Sequence, residues 1–249
     1  MQSDNDQVVT TRLFVVESLK AQKTLRASAS QAHYLRHVLR AQEGSPIALF
    51  NGRDGEWLAK VEMTGRVDCS FLLKQRRCPQ VEERGPWLLF APIKQLRLDY
   101  LVQKAVELGV EQIQPVRTRR TIVRKINVAR LNANAIEAAE QCGRLTVPKI
   151  CTYTDLADVV DGWQMGRMLV WGDETGCGEP ALHTFRKCDR DVAFLIGPEG
   201  GFEDSERTLL RGKQFARAID LGPRVLRSDT AVIMALALWQ GVLNDRSPT

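Results

Sequence analysis

The sequence lacks the features that mark membrane proteins, secreted proteins and zinc proteins. No apolar run approaches the roughly 18 residues of a membrane helix, and the polar residues 1–11 do not fit a signal or transit peptide. The six cysteines form no C-x-x-C pair, so the paired Cys and His spacing of a structural zinc site is absent. We therefore expect a cytoplasmic protein with a disordered residue 1–11 segment, no metal, no disulfide framework, and free, mostly buried thiols.

Motifs of nucleotide enzymes and hydrolases are also absent. The chain contains no G-x-G-x-x-G, no G-x-x-x-x-G-K-[ST], no G-x-S-x-G and no H-E-x-x-H. These absences disfavour hydride transfer, nucleotide hydrolysis and acyl transfer. The composition, with 44% hydrophobic and 26% charged residues, is that of an ordinary globular protein.

Residues 12–73 carry the pattern of a small β-rich unit. Strand-like runs cover residues 13–16, 46–50, 57–63 and 69–73, and the Asn-Gly-Arg-Asp-Gly stretch at 51–55 predicts a hairpin. A helix is predicted over residues 30–39, with Ser30 as its N-cap and an inward face of Leu35, Val38 and Leu39. The other face of this helix is either solvated or grips an RNA backbone, and it carries His33, Arg36, His37 and Arg40.

The pattern changes beyond residues 74–86, which are charged, proline-bearing and non-periodic and are interpreted as a linker. In residues 87–249, apolar strands alternate with amphipathic helices, as in a mainly parallel sheet covered on both faces. The predicted strands are 87–91, 113–116, 149–151, 168–171, 192–196 and 218–221, and the predicted helices are 96–108, 128–143, 203–214 and 230–243. The fold class is therefore α/β.

Positive charge is concentrated in one part of the chain. The net charge is only +5, but residues 74–130 hold thirteen Lys/Arg against five Asp/Glu. The densest patch is formed by Arg117, Arg119, Arg120, Arg124 and Lys125. Such a patch is either a solvated face or a surface for a polyanion, because clustered cations release counterions from nucleic acid.

Two loops in the last sixty residues stand out as a ligand site. Residues 192–201 and 218–231 each begin as a short apolar run and break at a Gly-Pro pair. Glycines permit close backbone approach, prolines fix the loop before a ligand arrives, and the carboxyl ends of parallel strands are where open α/β sheets bind ligands. Backbone amides and carbonyls at such loops suit a flat heterocycle such as adenine. The alternative is two tight turns with no ligand.

These residues carry a family resemblance. The stretches Ile-Gly-Pro-Glu-Gly-Gly at 196–201 and Leu-Gly-Pro-Arg-Val-Leu-Arg-Ser-Asp-Thr-Ala at 221–231 resemble those of the knotted SPOUT methyltransferases, and more narrowly the RsmE family, the 16S ribosomal RNA uracil-N3 methyltransferases. Residues 12–15, 33–40, 104–110 and 137–144 fit the same family. One departure is Ser228-Asp229, where the family commonly has Thr-Glu.

The resemblance implies a PUA-like β-barrel over residues 12–73 and a SPOUT domain with a C-terminal trefoil knot over residues 87–249. It also implies S-adenosylmethionine as cofactor, a homodimer, and a uridine of small-subunit ribosomal RNA, within the 30S subunit, as substrate. The cofactor-binding residues that it implies are Leu195, Ile196, Gly197, Pro198, Glu199, Gly200, Gly201, Leu221, Gly222, Val225, Leu226, Thr230 and Ala231.

Roles in the reaction follow as hypotheses. Uracil N3 must lose a proton, so a cation is expected to stabilise the developing anion and a carboxylate or water to accept the proton. Arg227 is the candidate cation, and the candidate acceptors are Asp229, Glu199 and Glu140. The expected RNA-binding residues are Arg36, Arg40, Arg117, Arg119, Arg120, Arg124, Lys125 and Arg144.

Two other functions stay open from the sequence. A SPOUT enzyme that methylates another RNA, such as transfer RNA, would need the same two loops. A non-enzymatic ribosome assembly factor would explain the basic patch but not the loops.

Overall fold

The computed structural model describes residues 8–164 and 166–246, and contacts divide the chain into two units. The first contains Met1–Glu82 and Ala139–Val147, and the second contains Glu83–Ala138 and Pro148–Thr249. The expected linker at 74–86 spans this first boundary. Most of the segment expected to be disordered, residues 1–7, lies outside the described residues.

The first unit is built on a five-stranded sheet. Its strands are β1 (Arg12–Phe14), β2 (Thr24–Arg26), β3 (Pro46–Phe50), β4 (Glu56–Thr64) and β5 (Asp68–Cys78), in the order β1-β3-β4-β5-β2. The predicted hairpin at 51–55 is confirmed, because β3 and β4 pair antiparallel with Phe50 opposite Glu56. Strand β5 continues to Cys78, so the first five positions of the expected linker are strand.

Helix α1 (Ala29–His33) continues as one π-helical stretch (Tyr34–Val38). Its N-cap is Ser28, not the predicted Ser30, because the Ser28 hydroxyl accepts the Gln31 N–H and the Gln31 side chain accepts the Ser28 N–H. Leu35 is buried as predicted. Val38, predicted to face inward, is 63% exposed, since the wider π turn changes the angular spacing of the side chains.

Arg12 fixes the segment 139–147 to this sheet. Its Nε donates to Glu56 Oε2 at 2.6 Å, and its two terminal nitrogens donate to the carbonyls of Ala139, Glu140 and Arg144. Those carbonyls lie at the C-terminal end of helix α3 (Val128–Cys142) and just beyond it. A guanidinium at a helix C-terminus satisfies orphan carbonyls and complements the helix dipole.

The second unit is an α/β domain in which every recorded strand pairing is parallel, as predicted. Its strands are β6 (Trp87–Phe90), β7 (Gln112–Arg117), β8 (Lys149–Ile150), β9 (Thr154–Asp155), β10 (Met168–Gly172), β11 (Glu179–Pro180), β12 (Val192–Ile196) and β13 (Ala216–Asp220). The order is β11-β13-β10-β12-β6-β7-β8, and β9 pairs with β7. The further helices are α2 (Gln95–Glu107), α4 (Leu156–Asp161), α5 (Ala181–Lys187), α6 (Asp204–Arg211) and α7 (Ser228–Arg246).

Side-chain burial follows the predicted helix faces in most places. Leu131, Ala135 and Ala138 of α3 are buried as expected, but Cys142 is exposed at the helix end. All six thiols are free; only Cys69 and Cys188 are buried, so the expectation that most would be buried is wrong.

Strand β12 lies in the middle of the parallel sheet and positions the site. All five of its residues are buried, and β10 and β6 pair with its two sides. Phe194 packs on one face against Phe185 and Trp239 of α5 and α7, with ring centroids 5.3 and 6.1 Å away. The loops that follow β6, β12, β10 and β13 therefore lie side by side at one edge.

Within residues 8–164 and 166–246, no helix is long and apolar enough to cross a membrane. The trefoil knot implied by the resemblance stays a prediction.

Candidate functional site

Three loops at the carboxyl edge of the sheet enclose a cavity of about 260 Å³. They follow β10, β12 and β13, and the start of α7 completes the wall. We call this space the three-loop cavity. Its lining consists of Gly172, Asp173, Glu174, Thr175, Gly176, Ile196, Gly197, Pro198, Ile219, Asp220, Leu221, Gly222, Pro223, Arg224, Val225, Leu226, Ser228 and Ala231.

Local conformation explains why glycine occupies two of these positions. Gly222 has φ +110°, a conformation that other residues rarely adopt, and its N–H donates to Asp220 Oδ1 at 2.8 Å. A Cβ at Gly197 would lie 2.9 Å from the ring of Phe202. The hydroxyl of Ser228 donates to the Gly197 carbonyl at 2.9 Å, which joins the loop after β12 to the start of α7.

The loop after β10 is held by two arginines one turn apart on α6. Arg211 donates to buried Asp173 at 2.7 Å, and Arg207 donates to Glu174 at 2.5 Å. Burial raises the pKa of a carboxyl group, yet hydrogen bonds from Thr175 and Arg211 leave the pKa of Asp173 below its ordinary value. This loop was not predicted from the sequence. The features that could have indicated it are Asp173, Glu174 and the flanking glycines, which follow directly after an apolar strand.

The structure brings together eight of the thirteen residues expected to bind the cofactor. Those lining the three-loop cavity are Ile196, Gly197, Pro198, Leu221, Gly222, Val225, Leu226 and Ala231. The other five residues are not part of the lining of the three-loop cavity. Leu195 is buried in the core, the Gly200 carbonyl accepts a bond from Arg120, Gly201 (φ +68°) packs against Glu174, Glu199 pairs with Arg97, and the Thr230 N–H donates to Asp229.

Two of the candidate proton acceptors share one guanidinium. Arg97, in the first turn of α2, donates through Nε to Asp229 Oδ2 at 2.8 Å and through Nη2 to Asp229 Oδ1, and its Nη1 donates to Glu199 Oε1 at 2.8 Å. The bonds from Arg97 lower the pKa of Asp229 despite the opposing effect of burial, and the same pair raises the pKa of Arg97. Asp229 is therefore a weak proton acceptor. Glu199 is 50% exposed, and its second carboxylate oxygen accepts no hydrogen bond from a described residue.

Arg97 was missed because its segment, 94–97, looks like the ordinary solvated start of a helix. Its position could have indicated its role. Arg97 lies in the segment after β6, the strand beside β12, and therefore at the same sheet edge as residues 197–201, which we call the GPEGG loop. The shorter carboxylate of Asp229, in place of the family's common glutamate, still reaches both nitrogens of Arg97.

Arg227 remains available for a ligand. Its side chain is exposed, and it makes no ion pair or side-chain hydrogen bond with any described residue. Its carbonyl accepts the Ala231 N–H at 2.9 Å, within the first turn of α7.

The side chains of Glu140 and Arg144 are both hydrogen-bonded to other parts of the protein. Both belong to the first unit, where the Glu140 carboxylate accepts the N–H of Phe14 at 2.8 Å. Arg144 is 9% exposed, and its Nη2 donates to the Thr146 hydroxyl at 3.1 Å. A buried guanidinium with a local partner is poorly placed to contact RNA, so the expectation for Arg144 is corrected.

The other expected RNA-binding residues differ in how free they are. Arg117 pairs with Asp155, and Arg120 Nη1 donates to the Gly200 carbonyl at 2.6 Å. Arg36 donates to the carbonyls of Gly65 and Asp68. Exposed side chains without an ion pair to any described residue belong to Arg40, Arg119, Arg124 and Lys125.

Among the described residues, no group of three or more His, Cys, Asp or Glu side chains could hold a metal ion.

Known proteins are similar to this chain in sequence and in architecture. The chain matches the family model of the RNA methyltransferase domain over residues 83–240 and that of the RNA methyltransferase PUA domain over residues 28–72. The second match confirms the PUA-like unit. Ribosomal RNA small subunit methyltransferase E of Rickettsia conorii is 33% identical over 213 residues, which cover 85% of this chain and 86% of the relative.

Two solved structures are similar along nearly the whole chain. A methyltransferase from Legionella pneumophila, in complex with bound S-adenosylmethionine, is 30% identical with a TM-score of 0.83, covering 94% of this chain and 98% of its own. Ribosomal RNA small subunit methyltransferase E from Neisseria gonorrhoeae, bound to S-adenosylmethionine, is 28% identical with a TM-score of 0.82, covering 93% and 97%. The domain match over more than half of the chain and the Rickettsia relative show that this chain belongs to the RsmE family, the ribosomal RNA small subunit methyltransferases E.

Proposed function

We propose that this protein transfers a methyl group from S-adenosylmethionine to N3 of one uridine in 16S ribosomal RNA. The observation that carries the proposal is the three-loop cavity, which is built from the two stretches that mark the family and from the loop after β10. The similar Legionella and Neisseria structures contain bound S-adenosylmethionine, and the Neisseria and Rickettsia relatives are named ribosomal RNA small subunit methyltransferase E.

The lining of the three-loop cavity fits this cofactor. Side chains of Ile196, Ile219 and Leu226 supply apolar walls for an adenine ring, and the glycine-rich loops supply backbone donors and acceptors for its edge. The carboxylates of Glu174 and Asp220 line the same space and suit a ligand with positive sulfonium and ammonium groups. When bound, the cofactor supplies an electrophilic methyl group.

The residues around Arg97 could remove the proton from uracil N3 and stabilise the anion that forms. Arg227, exposed and unpaired among the described residues, would stabilise the negative charge that develops on uracil as N3 loses its proton. Glu199 would accept that proton through its unbonded oxygen, while Arg97 holds its other oxygen. Asp229 would anchor Arg97. Alignment of nucleophile and methyl group can contribute as much as ~7–11 kcal/mol to such a transfer.

RNA binding would use cations that form no ion pair with any described residue. A base in folded RNA must be splayed out to reach a pocket. The phosphates around it would be held by Arg119, Arg124 and Lys125, while Arg36 and Arg40 of the PUA-like unit present further positive charge. Phosphate contacts position an RNA without reading its sequence.

We also propose that the enzyme is a cytoplasmic homodimer acting on the 30S subunit. Most apolar residues of α7 are buried within the chain, so a dimer contact would use the apolar side chains that stay exposed around it. These are Leu96, Tyr100, Val225 and Met234. A monomer by light scattering at micromolar concentration would contradict the dimer.

The decisive experiment is mass mapping of ribosomal RNA from a strain that lacks the gene. One uridine in 16S RNA should lose its N3 methyl group, and purified protein with labelled S-adenosylmethionine should restore it on 30S subunits from that strain. An unchanged 16S RNA with a methyl group missing from transfer RNA would assign the other substrate. Failure to bind S-adenosylmethionine in equilibrium dialysis would support an assembly factor.

A further inference from the structure

A second cavity, of about 630 Å³, opens beside the basic segment and is separate from the three-loop cavity. It lies entirely within the second unit, where three elements meet: the segment after β7, the first turn of α4 and the first two turns of α6. Its lining consists of Arg117, Thr118, Arg119, Thr121, Arg124, Asp155, Leu156, Ala157, Asp158, Ser205, Glu206 and Leu209.

The second cavity is lined by equal numbers of cations and carboxylates, which differ in their partners: the cations are Arg117, Arg119 and Arg124, and the carboxylates are Asp155, Asp158 and Glu206. Asp155 is taken up by Arg117, which donates through two nitrogens. Glu206 is 8% exposed and accepts the N–H groups of Arg119 and Glu203, both at 2.9 Å. The guanidinium groups of Arg119 and Arg124 make no ion pair or hydrogen bond with any described residue, so both are available to bind a phosphate. The carboxylate of Asp158 is also without such a partner among the described residues.

The cavity also offers an apolar surface and hydrogen-bonding groups. Leu156 and Leu209 belong to the hydrophobic core or pack against it, and they form an apolar part of the lining. Exposed Asp158 and the hydroxyl of Ser205 can accept and donate hydrogen bonds. Cations for a phosphate, an apolar wall and polar groups at its edge are the features that a nucleotide needs. The volume lies within the range of small-ligand pockets, roughly 300–1,000 Å³.

One hydrogen bond joins the segment that lines this cavity to the GPEGG loop (residues 197–201), and a second joins the same segment to α6. Arg120, whose chain neighbours Arg119 and Thr121 line the cavity, donates to the Gly200 carbonyl at 2.6 Å. Glu206 joins the Arg119 backbone to α6, the helix that follows the loop. A ligand in the second cavity would therefore touch the segment that supports the loop after β12.

We propose that the second cavity binds one nucleotide of the substrate RNA other than the methylated uridine, with its phosphate on Arg119 and Arg124 and its base against Leu156 and Leu209. This inference rests on the proposed function. A general electrostatic attraction would not depend on where the charge lies, whereas this contact places one nucleotide in one cavity. A carboxylate added inside the cavity should therefore weaken RNA binding more than the same carboxylate added elsewhere on the surface.

The test is a matched pair of substitutions. Ala157→Asp places a carboxylate in the second cavity at an exposed helix position, and Ala133→Asp places the same carboxylate at an exposed position of α3 outside it. With 30S subunits, Ala157→Asp should raise KM roughly tenfold, the effect of losing one charge-assisted hydrogen bond. It should leave kcat and the affinity for S-adenosylmethionine unchanged, and Ala133→Asp should change KM less than twofold.

Equal KM values for the two variants would overturn the proposal. A wild-type enzyme that methylates no RNA would instead contradict the proposed function, so the two failures are distinguishable. A competition experiment tests the base contact. Uridine or adenosine 5′-monophosphate should inhibit RNA binding by the wild type more strongly than inorganic phosphate does, and equal inhibition would overturn the base contact.

Discussion

Arg97 decides how the carboxylates near the GPEGG loop divide their roles. Both oxygens of Asp229 lie on its guanidinium, and one oxygen of Glu199 does. A carboxylate held by two charge-assisted bonds favours its ionised form strongly and accepts a proton poorly. The residue that departs from the family's common pattern is thus placed as an anchor, and the neighbouring glutamate keeps a free oxygen for chemistry.

The first prediction concerns the acid stability of this pair. The pKa of Asp229 in the folded protein is lowered from 3.8, so its stabilising effect is complete above that pH and is lost as the pH falls through the lower folded value. Below pH 3.8 the free energy of unfolding of the wild type should fall more steeply than that of Asp229→Asn. Urea unfolding at several pH values measures this difference.

Asp161→Asn is the matched control, because the Asp161 side chain is 70% exposed and its pair with Lys213 lies on the surface. Such pairs contribute at most about 1 kcal/mol. Parallel pH profiles for the wild type and Asp229→Asn would show that Arg97 does not stabilise the folded state through Asp229.

The second prediction concerns Arg227 in the methyl transfer. If its charge stabilises the uracil anion, Arg227→Ala should lower kcat by about 10²–10³, the usual effect of removing one donor to a developing charge. The affinity for S-adenosylmethionine should stay unchanged, and Arg227→Lys should recover part of the rate. Single-turnover methylation of 30S subunits together with equilibrium dialysis measures both quantities. A near wild-type rate for Arg227→Ala would remove Arg227 from the mechanism.

At the scale of elements, α6 supports the three-loop cavity from outside. Arg207 and Arg211 lie one turn apart and hold the two acidic residues of the loop after β10. The N-cap of the same helix, Glu203, accepts a bond from the N3 backbone while Glu206 accepts the Glu203 N–H, so the helix start is fixed as well. A short helix at the protein surface thus gives the loop after β10 a defined shape.

The third prediction tests this support. Arg211→Gln leaves buried Asp173 without its cationic partner, which costs about 1–3 kcal/mol, and loosens one wall of the cavity. The Kd for S-adenosylmethionine should rise about tenfold, as expected when a preformed loop must be ordered on binding, and Arg211→Lys should restore part of the affinity. Thr208→Ala, on the exposed side of the same helix, should leave the Kd unchanged. Calorimetric titration gives the Kd, and an unaltered value for Arg211→Gln would exclude the supporting role.

The sequence pattern predicted the long elements and missed several of the short ones, although the short strands β1 and β8 were predicted. Strand β12 was predicted at its exact bounds and α2 and α3 within one residue, because their apolar faces are long and continuous. Strand β2 has three residues with only Leu25 buried, and β9 and β11 have two each, so they leave no pattern. Helices α4 and α5 are too short for periodicity to distinguish them from loops.

The site was partly predictable for a related reason. The Gly-Pro loops are local signals, since glycine and proline act through the conformation of their own backbone. The bonds of Arg97 to Asp229 and of Arg211 to Asp173 join residues far apart in sequence, and sheet order alone brings them together. Nothing in the local sequence of Arg97 or Glu140 shows that one reaches the loops and the other binds the Phe14 amide.

At the scale of the whole molecule, the fourth prediction concerns salt. Each phosphate contact contributes about 0.7–0.9 to the slope of log K against log salt. Arg124 and Lys125 have no ion-pair partner among the described residues, so Arg124→Ala with Lys125→Ala should reduce the slope by about 1.4–1.8 if both contact phosphates. Filter binding of 16S RNA between 50 and 300 mM salt, about the range where such slopes are measured, gives the value.

Lys149→Ala serves as the control, because Lys149 is exposed in the second unit and is not expected to contact RNA. Its slope should match that of the wild type. An unchanged slope in the double variant would mean that the basic segment is a solvated face.

The capping of residues 139–147 by Arg12 has a consequence for biosynthesis. The first unit is discontinuous along the chain. The carbonyls to which Arg12 donates belong to residues 139–147, which are synthesised long after β5. On a translating ribosome the N-terminal sheet can therefore be completed only after residues 139–147 have been synthesised. At about 5–20 residues per second this delay lasts several seconds. The order of synthesis and the order of folding thus differ, and an N-terminal fragment ending at the domain boundary would emerge incomplete.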